Sequence, residues 1–482
     1  MNQLLRLSAT QLAGLIRNRE VSSSEVVGVH IERIKQVNPI INAVVVKRFE
    51  LAVEEAKRAD RELKSSGKDR LGPLHGVPCT IKESFALSGM PNSGGLVARK
   101  NVISKKDATC VARLLAAGAI PLGVTNTSEL CMWMESSNHL YGRTNNPYDP
   151  KRHVGGSSGG EGAIVGAGGT PFGLGADVAG SIRLPAFFNG VFGHKPTGCL
   201  VPSTGQYPIA ANQARRYLCT GPIARKAEDL MPLLEILAGP DGQDEVCRKF
   251  ELGDPAQVDL SKIKVLDVAS NGAIEVDPQL RQAQERAARA LASAGAKVEP
   301  AEIPELKDAF YIWSAMMRAA GGPTFSELLG EGRAINLWLE LPRWALRRSV
   351  HTLPALGLAA LEKLPDLMPR LNRKSLERAP ELKAELVRRI GPQGVMLYPT
   401  FSTPAQIHHR AILRFFHSGY TSIMNVMELP ATQVPLGLNS QGIPLGVQVI
   451  ATHGNDHLTI AVAMALEQAL GGWLPPWEVG AV

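Results

Sequence analysis

Short apolar runs alternate with amphipathic stretches along most of this 482-residue sequence. Residues 74–81 (LHGVPCTI) and 120–124 (IPLGV) are apolar and bounded by Gly or Pro, which predicts buried strands. Further strands are predicted at 264–268, 298–300, 394–398 and 443–450. Periodicity and capping residues predict helices at 8–36 (as two helices), 52–63, 108–117, 227–237, 278–294 and 457–469. This alternation is typical of the α/β class, with a mostly parallel or mixed sheet that helices cover on both faces.

Residues 303–390 differ in character, since they are helical in pattern, rich in Trp and Arg, and interrupted by prolines. Because the sequence contains no internal repeat, we expect one domain over residues 1–482 that carries a helical insertion at 303–390. Within it, residues 335–350 (INLWLELPRWALRRSV) mix aromatic, aliphatic and cationic side chains. Such a face suits a bilayer interface, the mouth of an apolar pocket, or an ordinary amphipathic helix packed on the core, and the sequence leaves these alternatives open.

Composition and charge exclude several classes of protein. With 44% hydrophobic and 20% charged residues, the chain is neither disordered nor fibrous. Its net charge of +7 is spread along the chain, so no nucleic-acid partner is expected. The six cysteines form no CxxC or metal-ligand spacing, which predicts free thiols, no metal site and a reducing, cytoplasmic location. No long uncharged apolar stretch predicts a spanning helix, so we expect any membrane contact to be peripheral.

The glycines are concentrated in one segment: 14 of the 47 fall within residues 155–198, beside only four charged residues. Such a composition indicates tightly packed, buried backbone. One interpretation is a set of glycine turns with capping serines. A phosphate-binding loop is disfavoured, because the segment has neither a GK[ST] ending nor a GxGxxG after a strand. A third interpretation is a serine nucleophile whose reaction oxyanion is bound by converging backbone N–H groups.

A serine nucleophile needs a base, and Lys82 is a candidate because it directly follows the strand predicted at 74–81. Burial lowers the pKa of a lysine, and the neutral amine then accepts a proton. The ordinary alternative is a solvated lysine at a strand end. Glu161 is expected to be a charge at a helix N-terminus rather than an acid catalyst. Histidine would be the rival base, but no pattern marks a catalytic one, and we expect structural roles for His75, His194, His408, His409 and His417.

Three segments together resemble the amidase signature family: residues 76–85 (GVPCTIKESF), the glycine-rich block 155–198, and residues 425–437 (NVMELPATQVPLG). Residues 131–138, 185–196 and 219–230 are most similar to its fatty-acid amide hydrolase branch, in particular the second vertebrate form. The resemblance implies a large α/β/α sandwich, with a mixed central sheet surrounded by helices, and a Ser-Ser-Lys triad.

Position by position, the resemblance places the lysine base at Lys82, the bridging serine, held in a cis peptide, at Ser157, and the nucleophile at Ser181. The expected oxyanion donors are the N–H groups of Val178, Ala179, Gly180 and Ser181. Ala179 replaces the glycine that is usual in the family, which is tolerable if its φ stays negative.

Further residues are expected to support this site. Asp177 and Arg183 flank the nucleophile with opposite charges, and we expect a buried pair that fixes the loop. Ser158 is expected to stabilise the loop by hydrogen bonding. The substrate pocket is expected to involve Met132, Trp133 and Met134, which suit a pocket wall and a core equally well.

The resemblance implies hydrolysis of apolar acyl amides, and by extension of esters, anilides or carbamates, with no metal or organic cofactor. The expected partners are a small-molecule amide, a membrane surface in peripheral contact, and a second copy of the chain in a homodimer. The alternative is the glutaminase (A) subunit of a tRNA-dependent amidotransferase, and a catalytically silent scaffold is a third hypothesis. Intact Lys82, Ser157 and Ser181 argue against the scaffold.

Overall fold

One mixed sheet of eleven strands runs through the computed structural model, which describes residues 2–66, 71–362, 368–478 and 480. The strands, including a separate hairpin of β4 and β5, are β1 (Val44–Lys47), β2 (Pro78–Lys82), β3 (Ile120–Thr125), β4 (Ser137–Asn138), β5 (Gly142–Arg143), β6 (Phe172–Asp177), β7 (Phe192–Lys195), β8 (Cys219–Ala224), β9 (Lys264–Asp267), β10 (Lys297–Pro300), β11 (Gly394–Tyr398), β12 (Ala431–Leu438) and β13 (Pro444–Ala451). The order in the sheet is β1-β3-β2-β6-β8-β7-β12-β13-β11-β9-β10. Two parallel groups, β3-β2-β6 and β11-β9-β10, are joined by antiparallel neighbours.

Helices flank this sheet. They are α1 (Ala9–Arg17), α2 (Ser23–Ile41), α3 (Phe49–Ser66), α4 (Thr109–Ala116), α5 (Gly159–Gly166), α6 (Arg183–Phe188), α7 (Leu230–Leu237), α8 (Pro278–Ser293), α9 (Ala309–Ala319), α10 (Phe325–Leu329), α11 (Leu337–Ala345), α12 (Leu353–Leu361), α13 (Pro369–Ile390), α14 (Gly419–Val426) and α15 (Asp456–Leu470). Side-chain caps begin several of them: Ser8 forms a capping box for α1, and Ser22 caps α2. The mixed sheet with its flanking helices confirms the predicted α/β class.

Element ends differ from the predictions by a few residues. The strand predicted at 74–81 begins only at Pro78, because residues 73–76 form a turn in which Gly76 has a φ of +79°. The helix predicted at 227–237 begins as a 3-10 turn, Ala227–Asp229, and becomes α-helical at Leu230. These shifts leave the order of the predicted elements unchanged.

Strands β6, β7, β8 and β12 had no clear signal in the hydrophobic pattern. In β6, glycines occupy positions where β-branched residues are usual in strands, because neighbouring elements approach too closely for a side chain. A Cβ at Gly173 would lie 1.7 Å from Glu161 Oε2, and a Cβ at Gly175 would lie 3.1 Å from Ser158 Oγ. The glycine-rich segment is therefore partly sheet, and its glycines let α5 pack against β6.

The predicted insertion contains helices α9 to α13, with residues 363–367 lying outside the described part of the chain. Helix α9 packs against α13 and α14. Helix α11 has no buried residue, which does not fit a helix packed on the core. Across the described ranges, no helix is both long and apolar enough to cross a bilayer.

Candidate active site

Lys82 is the last residue of β2, which lies inside the sheet between β3 and β6. Its side chain is fully buried, and Nζ lies 2.8 Å from Ser157 Oγ. Burial lowers the pKa of the Lys82 amine from its usual value, since the charged form loses its hydration. The structure thus brings together the predicted base and the predicted bridging serine.

Ser157 follows a cis peptide bond with Gly156, as the resemblance implied, and lies just before α5. Its neighbour Ser158 donates two hydrogen bonds: Oγ to Ala176 O at 3.2 Å and N–H to Ser181 O at 3.2 Å. The loop that carries Ser157 is therefore tied to both β6 and the turn that carries Ser181. Ser158 lies where the prediction of a stabilising residue requires.

Ser181 lies on the turn between β6 and α6, and its side chain lines the same cavity as Lys82 and Ser157. The turn requires glycine at position 180, where φ is +113° and a Cβ would lie 2.3 Å from Thr421 Oγ1. Ala179 keeps a negative φ, so the alanine in place of the usual glycine does not strain the backbone. Its carbonyl accepts a hydrogen bond from Thr421 Oγ1 at 2.8 Å.

Asp177 and Arg183 form a fully buried ion pair at 3.0 Å, which is the pair that the sequence predicted. Burial alone would raise the pKa of the Asp177 carboxyl, but the Arg183 guanidinium holds it well below its usual range. Asp177 also accepts the N–H of Gly180 at 2.7 Å, while Asn425 donates to the Asp177 carbonyl at 2.8 Å. The pair therefore fixes the turn of Ser181 from below, with help from α14.

The hydrogen bond from Gly180 has a consequence for the predicted oxyanion donors. Because that N–H is taken by Asp177, the candidate donors that remain are the N–H groups of Val178, Ala179 and Ser181.

A cavity of about 200 Å³ opens over the two serines. Apart from Lys82, no charged side chain lines it among the residues that the structure describes. Its apolar wall comes from three parts of the chain, namely the 130–132 loop, the segment 207–218 and the insertion, and comprises Leu130, Met132, Tyr207, Ile209, Leu218, Met317, Phe325 and Leu328. The walls contributed by 207–218 and by the insertion had no signal in the sequence analysis.

Of the three predicted pocket residues, only Met132 lines the cavity. Trp133 instead stacks on Phe415, with ring centroids 6.0 Å apart, and Met134 lies in the core. Cys131, which the sequence analysis took for a buried thiol, is half-buried and lines the cavity beside Lys82.

The rival histidines lie elsewhere, and none is among the described cavity residues. Their partners are Ala59 O for His75, Thr432 and Asp456 for His194, Pro150 O for His408, Arg143 for His409 and Ser402 for His417. Glu161 lies in the first turn of α5 as expected, but it is fully buried. Burial raises its pKa to about 8, so at neutral pH it is mostly uncharged, contrary to the expected helix-terminal charge.

A buried lysine beside a serine hydroxyl, with a second serine on a glycine-rich turn of a mixed sheet, defines a hydrolase of the amidase class. The Amidase family model matches residues 25–460, and the chain belongs to this family of hydrolases, which act on C–N bonds other than peptide bonds.

Two curated relatives are similar over nearly the whole chain. Fatty-acid amide hydrolase 2-A of Danio rerio is 49% identical over 98% of this chain and 91% of its own length. Fatty-acid amide hydrolase 2 of Homo sapiens is 45% identical over the same shares. One component of a glutamyl-tRNA(Gln) amidotransferase from Caldanaerobacter subterraneus is less similar, at 29% over 99% of both chains. A solved structure of 6-aminohexanoate cyclic dimer hydrolase complexed with substrate has a TM-score of 0.81 and 27% identity, over 97% of this chain and 98% of that one.

Proposed function

We propose that this chain hydrolyses amides with apolar acyl groups through an acyl-enzyme on Ser181. One observation carries the proposal: the buried Lys82 amine lies 2.8 Å from Ser157 Oγ, and both line an apolar-walled cavity that also contains Ser181. A charged lysine would not remove a proton from a serine, whereas a buried amine with a lowered pKa does.

In the proposed mechanism, the neutral Lys82 amine takes the Ser157 proton as Ser157 takes that of Ser181. The Ser181 Oγ attacks the amide carbonyl, and the N–H groups of Val178, Ala179 and Ser181 bind the oxyanion. The proton returns through Ser157 to the leaving nitrogen, which departs as a neutral amine. Water, deprotonated by the same relay, then hydrolyses the acyl-enzyme and releases the acid.

The cavity wall supports an apolar acyl group, because burial of alkyl surface against side chains such as Leu218 and Phe325 provides binding free energy. The names of the relatives at 49% and 45% identity point to the same substrates. Esters, anilides and carbamates present a similar carbonyl and are expected to react as well. A glutaminase needs charged groups for the α-amino and α-carboxylate groups of glutamine, and the described cavity offers only Lys82, which disfavours that alternative.

The test uses the purified single chain with decanoyl p-nitroanilide. We expect turnover without any partner protein, and Ser181→Ala should reduce it by at least about a thousandfold, as removal of a nucleophile does. The matched control is Ser261→Ala at an exposed position, which should leave the rate unchanged. Residual activity of Ser181→Ala above about a thousandth of the wild-type rate would contradict the assignment.

We also propose peripheral membrane contact through the exposed face of α11 and the residues after it. Trp338 is 88% exposed and Leu346 is 68% exposed, which is unusual for such large apolar side chains. Arg343, Arg347 and Arg348 lie beside them and suit an anionic lipid surface.

Co-sedimentation with phosphatidylglycerol vesicles tests this surface. Trp338→Glu should weaken binding, whereas Leu51→Glu, at an exposed leucine of α3, should not. Equal loss in both variants, or no vesicle binding by the wild type, would contradict the contact. The cytoplasmic location and the homodimer stay predictions, and analytical ultracentrifugation of the same preparation tests the homodimer.

A further inference from the structure

A buried ionic contact joins the wall of the cavity to the helical insertion. The Glu129 carboxylate accepts a hydrogen bond from His351 Nδ1 at 2.8 Å through one oxygen, and from the Thr352 N–H at 2.8 Å through the other. Glu129 is 3% exposed and His351 is 5% exposed. Both carboxylate oxygens are therefore used by the segment that begins α12, in a place that water does not reach.

Each end of this contact is connected to residues that line the cavity. Glu129 begins the short turn Glu129–Cys131, and the next three residues, 130–132, all lie in the cavity wall. On the other side, Thr352 caps α12 by accepting the N–H of Ala355. Helix α12 packs on α10, which contributes Phe325 and Leu328 to the cavity.

One small apolar cluster spans the same junction. Leu130 from the core loop packs with Phe325 and Leu329 of α10 and with Ala355 and Ala359 of α12. The cluster has no direction of its own, because apolar contacts tolerate sliding. The Glu129–His351 contact is directional, and it fixes the register in which the two walls meet.

We propose that Glu129 and His351 are positioning residues that set the acyl-chain selectivity of the enzyme, by holding the insertion wall against the core wall of the cavity. This inference rests on the proposed amidase function. Neither residue lies among the described cavity residues or touches the two serines and Lys82, so the contact acts on the far wall and not on the chemistry.

The first experiment compares kcat and KM for butanoyl and decanoyl p-nitroanilides. For His351→Ala we expect KM for the decanoyl substrate to rise about tenfold with kcat nearly unchanged, because only the long chain reaches the joined walls. Constants for the butanoyl substrate should change less than about twofold. His351→Asn should restore the wild-type values, since the asparagine Nδ2–H₂ can donate from the place of His351 Nδ1. Glu129→Ala should match His351→Ala, and the double variant should be no worse than either.

Two results would overturn the proposal: equal losses on both substrates, which indicate a role in stability alone, or no loss on either. The second experiment does not depend on turnover. In the Ser181→Ala background, tryptophan fluorescence titration with decanamide should show about a tenfold weaker Kd after His351→Ala, and butanamide binding should be unaffected. A wild-type enzyme that turned over neither anilide would contradict the proposed function, whereas an unchanged Kd for decanamide would contradict the role of Glu129 and His351.

Discussion

The behaviour of single residues at this site follows from how completely each is removed from water. Lys82 ends an interior strand, so its amine is desolvated and has a hydroxyl as its neighbour. Asp177 is equally buried but remains charged, because Arg183 lies 3.0 Å away. The same fold therefore keeps one ionisable group neutral and another ionised, and the difference comes from the partner each one meets.

Gly180 gives a prediction about the oxyanion turn. Gly180→Ala should lower kcat by about a hundredfold or more, because the new Cβ would lie 2.3 Å from Thr421 Oγ1 and displace the turn that carries the donors. Gly454→Ala is the control, since Gly454 also has a positive φ, of +85°, but nothing lies within 4 Å of its Cβ position. Comparable kcat values for the two variants on the decanoyl anilide would show that the turn does not depend on this close approach.

Glu161 gives a prediction about stability and pH. Its pKa is raised from 4.5 to about 8 in the folded state, so the folded chain holds a proton that the unfolded chain releases. The free energy of unfolding should therefore fall as pH rises from about 4.5 to about 8. Glu161→Gln has no proton to lose, so relative to the wild type it should be more stable at pH 8 than at pH 5.

Urea denaturation at both pH values measures the difference, with Glu50→Gln, at an exposed position of α3, as the control. A Glu161→Gln effect of the same size at both pH values would mean that the carboxyl is not protonated in the folded protein.

At the scale of elements, the sequence predicted what depends on local pattern and missed what depends on close packing. Strand β11 agreed with its predicted bounds, because a continuous apolar run is a direct signal of a buried strand. Strand β6 was missed, because Gly173 and Gly175 leave room for Glu161 and Ser158 rather than following a strand pattern. Lys82, Ser157 and Ser181 were named through the family resemblance, whereas the cavity wall from 207–218 and α10 had no local signal, since only the tertiary fold brings it there.

The connection between α6, β6 and α14 gives a prediction about elements. Arg183→Met should destabilise the fold by about 3–5 kcal/mol, because it leaves the Asp177 carboxylate buried without its partner. Adding Asp177→Asn should recover part of this loss, since the stranded charge is then removed. Arg388→Met breaks an exposed pair with Glu385 and should cost less than about 1 kcal/mol. Chemical denaturation measures all three, and equal costs for the buried and the exposed arginine would contradict the role of the buried pair.

Across the whole molecule, two regions of different character meet at the cavity. The glycine-rich core, built on the mixed sheet, holds Lys82, Ser157 and Ser181, whereas the helical insertion provides part of the apolar wall and presents the exposed face of α11. The core determines which bond is broken, and the insertion determines which acyl group reaches it. Such a division predicts that variants in α11 change membrane binding without changing the chemical step.

The pH dependence of kcat/KM for decanoyl p-nitroanilide, measured from about pH 5 to pH 10, bears most directly on the neutral amine at Lys82. The wild type should show a rate that rises with pH and levels off at an apparent pKa below the usual 10.5 of lysine. Lys82→Ala should lose this rising limb together with most of the activity. A wild-type profile without a rising limb, or the same limb retained in Lys82→Ala, would contradict the assignment of Lys82 as the base.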